Sequence, residues 1–124
     1  MQSMFDTDSS DEWSRLAYWM RNAAFEQCPE PLMLLDPVQN QYIDCNIAAT
    51  ELLGFSRPEI LKLPISFIHG RELGQLIVFT QEALAAGHAK SKRISCRLKN
   101  DMHIPVELSA SRTVIKGKEY LVVS

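Results

Sequence analysis

The last third of the chain alternates apolar and polar residues, whereas the middle third repeats its apolar residues every three or four positions. A period of two indicates strands that bury one face, and a period near 3.6 indicates amphipathic helices. Alternation in 93–98 and 104–111, followed by an apolar run at 120–123, predicts three strands. Turn residues at 100–101 and 116–118 separate these strands, so we expect an antiparallel meander.

Two short apolar runs precede the helical part of the sequence and predict two further strands. They cover 32–35 and 42–45, and the stretch DPVQN at 36–40 supplies turn residues between them. Together with the meander, these runs give five strands, each of which needs a neighbour. One five-stranded sheet is the economical arrangement.

The segment between the two groups of strands contains a dense series of helix start and stop signals. Asn46 can cap a helix that ends at Gly54, and Ser56 with Glu59 forms a capping box for the next one. A longer amphipathic helix ends at Gly87. The predicted helices cover 47–53, 57–63, 64–70 and 72–86.

Strands followed by helices and then by more strands predict an α+β fold rather than a series of βαβ units. We therefore expect a five-stranded antiparallel sheet with helices on one face. The opposite face also needs a cover, and an N-terminal amphipathic helix is the remaining candidate.

The N-terminal segment divides into an acidic lead-in over 1–11, which we predict to be disordered, and an amphipathic helix over 12–27 that Pro29 ends. Several apolar side chains of this helix present more surface than a monomer usually leaves exposed. These side chains are Trp13, Leu16, Trp19, Met20 and Ala23. We predict that the helix packs partly on the sheet and partly on a second copy, forming a homodimer. The alternative is that it covers only its own sheet.

Composition places the chain among ordinary globular domains. Its 124 residues are 46% hydrophobic and 23% charged, with a net charge of −2, so no overall field favours nucleic acid or a membrane as a partner. No apolar run reaches the length of a membrane span. The three cysteines are odd in number and form no CxxC pair, which favours reduced, buried thiols and a cytoplasmic location.

The sequence contains no recognisable metal or catalytic motif. The histidines and cysteines lack metal-ligand spacing, and His69 and His88 lie at helix ends, where we expect solvated side chains. A basic group marks the first meander strand: Lys90, Lys92, Arg93, Arg97 and Lys99. Because no aromatic residues are interleaved with them, these residues predict a solvated strand face and no direct contact with nucleic acid.

From about residue 24 to residue 124 the sequence resembles one complete PAS domain. The segments that carry the resemblance are NIAA at 46–49, LLGFS at 52–56, RLKND at 97–101 and IPVELSAS at 104–111, in that order. The sequence departs from the family at Met102, where a glycine is common. Because Met avoids positive φ, we expect Asn100 or Asp101 to adopt the left-handed conformation. We accordingly assign 28–124 to the PAS domain.

The resemblance implies a sensory, non-catalytic module with a pocket between its sheet and its helices. In some members that pocket holds haem, flavin or a metabolite. The apolar side chains that we expect to point into this space are Phe67, Ile68, Leu76, Phe79, Cys96, Leu98 and Val122. Side chains of this kind would line a ligand pocket or simply fill a core.

The resemblance argues against two common PAS cofactors. Haem-binding members carry a histidine on the long helix, near Ile77 or Val78 here, and 72–86 contains none. Covalent flavin needs an Asn-Cys-Arg-Phe-Leu-Gln motif, whereas Cys45-Asn46 has the first two residues reversed. The identity of any cofactor or ligand therefore stays open.

The resemblance also implies an effector domain in the same protein: a histidine kinase, a cyclic-dinucleotide enzyme or a transcription regulator. Two other classes stay open. One is a ligand-free module that scaffolds a partner protein. The other is a small α+β enzyme, for which Asp44 and Glu51 are the nearest acidic candidates, although both look like surface residues.

Overall fold

The computed structural model describes residue 16 and residues 22–124. The first described helix, α1, covers 22–27. The other elements in chain order are β1 Met33–Asp36, β2 Gln41–Cys45, α2 Ile47–Leu53, α3 Arg57–Lys62, α4 Ile65–His69, α5 Leu73–Ala86, β3 His88–Arg97, β4 His103–Ile115 and β5 Lys118–Val123.

The strands form one antiparallel sheet in the order β2-β1-β5-β4-β3. The last strand of the chain therefore lies in the middle, between β1 and β4. Helices α2 to α5 bury one face of this sheet in a single apolar core. The expected fold, a five-stranded antiparallel sheet with helices on one face, is confirmed.

The predicted capping signals act as expected. The Asn46 side chain accepts a hydrogen bond from the backbone N–H of Ala49, and Ser56 and Glu59 form both halves of a capping box. Gly54 ends α2 with φ 82, in the left-handed region where a Cβ would be strained. Asn100 or Asp101 was expected to adopt the left-handed conformation, and Asp101 does so, with φ 66.

The meander strands are longer than alternation predicts. Gly87 adopts φ 91 and turns the chain directly from α5 into β3, so no loop separates them. The pairing register of β3 with β4 shifts between Lys90 and Arg93, which breaks the alternation in the first half of β3. A bulge of this kind hides a strand from a search for strict period two.

The structure describes only part of the predicted N-terminal helix. Leu16 and Ala23 are exposed, as the dimer hypothesis requires. Trp13, Trp19, Met20 and the lead-in over 1–11 lie outside the described residues. No helix among the described residues is long and apolar enough to cross a membrane.

Candidate functional site

A cavity of about 290 Å³ lies between the sheet and α2. Residues from β1, α2, β3 and β4 contribute to its walls, together with residues next to β1, at the end of α4 and after β5. The lining side chains are mostly apolar. The lining residues are Pro31, Met33, Ala49, Leu52, Leu53, His69, Cys96, Val106, Glu107, Leu108 and Ser124.

Asn46 fixes helix α2, which forms one wall of the cavity. Its Oδ1 accepts hydrogen bonds from the backbone N–H of Leu32 at 2.9 Å and of Ala49 at 3.0 Å. Its Nδ2 donates to the carbonyl oxygens of Phe25 at 3.0 Å and Glu30 at 2.9 Å. One buried side chain thus joins the segment before β1 to the first turn of α2. The sequence predicted the helix cap but not these long-range bonds.

The prediction that His69 is a solvated side chain at a helix end is wrong. His69 is only 2% exposed, and it lines the cavity. The spacing of Ile65, Ile68 and His69 explains its position, because residues three and four apart share one helix face. Both isoleucines are buried, so the same period could have placed the histidine inside.

The imidazole of His69 has a buried phenol as its partner. The Tyr42 hydroxyl lies 2.7 Å from Nδ1 of His69 and 3.4 Å from the carbonyl oxygen of Ile65. Burial lowers the pKa of His69 from 6.5 to about 4, since the charged form loses its hydration. The histidine is therefore neutral at physiological pH.

The other titratable groups in this region are also uncharged at neutral pH. Burial raises the pKa of the Cys96 thiol to about 11 and lifts the pKa of Tyr42 well above 10. Cys45 and Cys96 are buried, as expected, whereas Cys28 is only half-buried. The side chain of Glu107 is exposed on the outer face of the sheet, since its neighbours Val106 and Leu108 face the core.

Six of the seven predicted pocket residues fall into three groups. Cys96 lines the cavity, while Ile68, Leu76 and Phe79 belong to the packed core. Phe67 and Leu98 pack against that core from outside and are partly buried.

The placement of Val122 among the pocket residues is wrong. The core-facing residues of β5 are Leu121 and Val123, so Val122 points to the opposite face of the sheet. Sequence alternation cannot decide between two faces when both carry apolar residues. The cavity lies nearer to α2 than the sequence suggested.

The opposite, outer face of the sheet carries a groove of about 610 Å³. It runs between α1 and the strands β1, β2, β4 and β5. Its lining residues are Asn22, Phe25, Leu34, Asp44, Thr113, Val114, Ile115, Lys116 and Val122. Two apolar side chains there are strongly exposed, Val114 by 60% and Ile115 by 43%.

Two of the five basic residues at the first meander strand, Arg97 and Lys99, have acidic partners. Arg97 pairs with Asp101 at 2.9 Å and stacks on the Phe67 ring at 4.3 Å. Lys99 pairs with Glu59 at 3.0 Å. Both ion pairs form within the domain, so Arg97 and Lys99 already have acidic partners.

The acidic residues considered for catalysis lie outside the cavity. Asp44 on β2 pairs with Arg57 at 2.6 Å. Glu51 is exposed on α2. In the part of the chain that the structure describes, no three His, Cys, Asp or Glu side chains are arranged to hold a metal ion.

Comparison with known proteins places these features in a family context. A sequence model described as the PAS domain matches residues 29–124. No curated protein sequence matches the chain significantly.

Several solved structures also resemble this chain. A PAS domain from a two-component sensor histidine kinase superposes with a TM-score of 0.76 at 15% identity, over 89% of this chain and 95% of that one. A domain of a sensory box sensor histidine kinase/response regulator from Geobacter sulfurreducens gives 0.69 at 19% identity, over 89% and 94%. The PAS-B domain of Drosophila melanogaster Cycle with bound ethylene glycol gives 0.67 at 13% identity, over 77% and 96%. At these identities the likeness shows the fold.

Proposed function

The chain belongs to the PAS domain family, whose members are generally sensory and non-catalytic, and on that premise we propose that it is a sensor of a small, largely apolar molecule. The molecule binds in the cavity between the sheet and α2. Binding then regulates an output domain in the same protein. Neither step requires a catalytic group.

The observation that carries this proposal is the cavity itself. The cavity is partly open to solvent, so a small molecule can enter it. For scale, a cavity of about 150 Å³ suffices to bind benzene. At about 290 Å³, this one has room for roughly a dozen non-hydrogen atoms on the same scale. Its mostly apolar lining makes an apolar guest the best match.

The position of the cavity supports a route by which binding would be transmitted. Met33 and Ser124 both contribute to its walls, and they lie at the start of β1 and just after β5. A guest that displaces either residue would shift the segment next to it. We propose that this shift reaches an effector domain in cis, such as a histidine kinase, a cyclic-dinucleotide enzyme or a transcription regulator.

We further propose that the domain acts as a homodimer through residues 12–27 and the outer sheet face. The exposed side chains of Leu16 and Ala23, together with the apolar groove at Leu34 and Val122, support this assignment. An exposed apolar patch rimmed by polar residues is typical of an interaction surface.

A second candidate function is a ligand-free scaffold for a partner protein. One observation favours it: α5 exposes Leu73 by 49%, Ile77 by 45% and Val78 by 62%. These side chains form an apolar strip on the side of the helix that faces away from the sheet. In that case the cavity would stay empty and α5 would carry the function.

Native mass spectrometry of freshly purified protein separates the two candidates. We expect wild-type protein to retain or take up a small molecule, and the cavity-filling variant Ala49→Leu to lose it. Ala85→Leu is the matched control, since Ala85 is exposed on α5, whereas Ala49 is 1% exposed and lines the cavity. Equal behaviour of all three proteins, with no small molecule bound, would contradict the sensor proposal.

A further inference from the structure

The cavity contains one buried polar ring, the imidazole of His69, in a mostly apolar lining. His69 is 2% exposed, and among the described residues its imidazole hydrogen-bonds only to Tyr42, through Nδ1. The second ring nitrogen, Nε2, therefore has no protein partner within the described part of the chain. Nε2 is not among the described side-chain atoms that are fully enclosed without a partner, so it keeps some accessible surface and can meet a partner that occupies the cavity.

The hydrogen-bond distances favour one position for the imidazole proton of His69. The Tyr42 phenol is protonated and has one hydrogen to donate, either to Nδ1 of His69 at 2.7 Å or to the Ile65 carbonyl at 3.4 Å. Hydrogen bonds from hydroxyl groups have donor–acceptor distances of about 2.5–3.0 Å, so Nδ1 is the acceptor. A neutral imidazole that accepts at Nδ1 must carry its hydrogen on Nε2. The cavity thus presents one N–H donor.

We propose that the cavity selects a neutral ligand that has a compact apolar body and one hydrogen-bond acceptor, such as a ketone or an ether oxygen, which accepts from Nε2–H of His69. This inference rests on the proposed sensor function and names the chemical class of its ligand. Tyr42 acts as a positioning residue, because its hydroxyl holds the imidazole in the tautomer that donates into the cavity.

The alternatives fit the cavity less well. An anion would meet no positively charged side chain among the lining residues. Water requires two to four polar partners, and the mostly apolar lining offers few beside the imidazole. A purely apolar guest would leave the Nε2–H buried without an acceptor, which costs binding free energy.

Two probes of equal size test the role of the acceptor. Acetophenone carries a carbonyl oxygen where α-methylstyrene carries a CH₂ group, so the pair differs at one atom position. Binding to the wild-type domain is measured by NMR titration, with the Ala49→Leu variant used to assign it to the cavity. We expect acetophenone to bind about 3- to 10-fold more tightly than α-methylstyrene, which is the effect of one net hydrogen bond. Benzoate at neutral pH serves as the anionic probe and is expected to bind more weakly than acetophenone.

Substitution of the histidine tests the donor. In His69→Phe the preference for the ketone should disappear, and the more apolar α-methylstyrene should bind at least as well. His103→Phe is the matched control, since His103 is exposed on β4 and should leave the preference unchanged. In Tyr42→Phe the imidazole loses its fixed tautomer, and the preference should be reduced while the affinity for α-methylstyrene is kept. The ¹⁵N shifts of the wild-type imidazole report the Nε2–H tautomer independently of any variant.

The outcomes distinguish this inference from the sensor function on which it rests. Binding of both neutral probes with equal affinity to wild-type protein overturns the acceptor rule and leaves the sensor function standing. Tighter binding of benzoate overturns the requirement for a neutral ligand. Failure of every probe to enter the cavity counts against both proposals.

Discussion

The hydroxyl of Tyr42 lies 2.7 Å from Nδ1 of His69, and this hydrogen bond joins strand β2 to the end of helix α4 inside the core. Both side chains are at most 2% exposed. The imidazole of His69 is therefore held where its charged form would lose nearly all of its hydration. The stability of the domain should depend on pH for this reason.

The first prediction concerns the free energy of unfolding between pH 7 and pH 4.5. The pKa of His69 is about 4 in the folded protein against 6.5 for an unperturbed histidine, so the unfolded chain binds more protons in this window. The His69 contribution is fully present above pH 6.5 and is lost as the pH falls toward 4. At about 1.4 kcal/mol per pKa unit, we expect a loss of roughly 2 kcal/mol over this window.

Urea unfolding at a series of pH values measures this loss. His69→Gln should flatten the dependence, whereas His103→Gln should keep it because His103 is exposed. Tyr42 and Cys96 do not titrate in the window, since burial raises the pKa of both groups. A wild-type stability that stays constant from pH 6.5 to 4.5 would show that His69 is not held in its neutral form.

The second prediction is that Asn46→Ala is more destabilising than loss of an ordinary helix cap. The substitution removes acceptors for two backbone N–H groups and donors for the carbonyls of Phe25 and Glu30. We expect a loss of about 2–4 kcal/mol, because buried backbone groups are left without partners. Ser56→Ala removes an exposed cap and should cost about 1 kcal/mol. Equal losses in urea unfolding would mean that Asn46 acts only as a cap.

The third prediction concerns the ion pair between Lys118 Nζ and Asp36 Oδ2, at 2.7 Å. Burial alone raises the pKa of Asp36, but the hydrogen bonds from Lys118 and from the Gln39 backbone N–H outweigh it, so the net pKa is lowered. The contribution of Asp36 to stability is therefore present above its unfolded pKa of 3.8 and is lost as the pH falls below that value.

In Lys118→Met the Asp36 carboxylate stays buried without its cation. We expect a lower urea midpoint at pH 7, with a difference from wild type that shrinks toward pH 4 as Asp36 takes up a proton. Lys118→Arg is the matched control that keeps the charge. If the difference between Lys118→Met and wild type is the same at both pH values, then the pair does not set the state of Asp36.

The fourth prediction compares two glycines. Gly54→Ala should destabilise the domain by about 1–2 kcal/mol, because φ 82 is unfavourable for a residue with a Cβ. Gly74 lies in α5, and a Cβ added there meets nothing within 4 Å. Gly74→Ala should therefore stabilise by about 0.5–1 kcal/mol. Thermal unfolding of the two variants should shift in opposite directions, and a shift in the same direction would contradict this account of α2 and α5.

The fifth prediction concerns the homodimer. Light scattering should give a dimer for wild-type protein and a monomer for Leu16→Glu and for Val122→Glu, since the two residues belong to the proposed interface. Val78→Glu is the control, because Val78 is 62% exposed on α5, away from the outer sheet face. A monomeric wild-type protein at high concentration would exclude the dimer.

Local signals predicted most of the fold. Helix α2 was predicted with its observed bounds, because Asn46 and Gly54 mark its ends in the sequence. The five strands were predicted in number and direction from alternation and turns. Strand lengths were underestimated where a register shift in β3 and exposed residues at the end of β4 removed the alternation.

The cavity was predicted less well, because its walls come from residues far apart in the chain. Of the seven side chains expected there, Cys96 is a lining residue, and Val122 was assigned to the wrong sheet face. Ala49 lines the cavity because its small side chain leaves space there. The hydrophobic period of the sequence does not report side-chain volume. The burial of His69 was missed, although its spacing from Ile65 follows a helical period.

The order of strands in the sheet has a practical consequence for protein engineering. Met33 at the beginning of β1 lies opposite Val123 at the end of β5, and adjacent strands are about 4.8 Å apart. The two ends of the segment 33–123 are thus close together, which is the geometry that domain insertion tolerates best. A domain cut close to these two positions, and keeping Pro31 and Ser124 in its cavity wall, could be inserted into a surface loop of a host enzyme without forcing that loop apart. The activity of the host would then report whether the cavity is occupied.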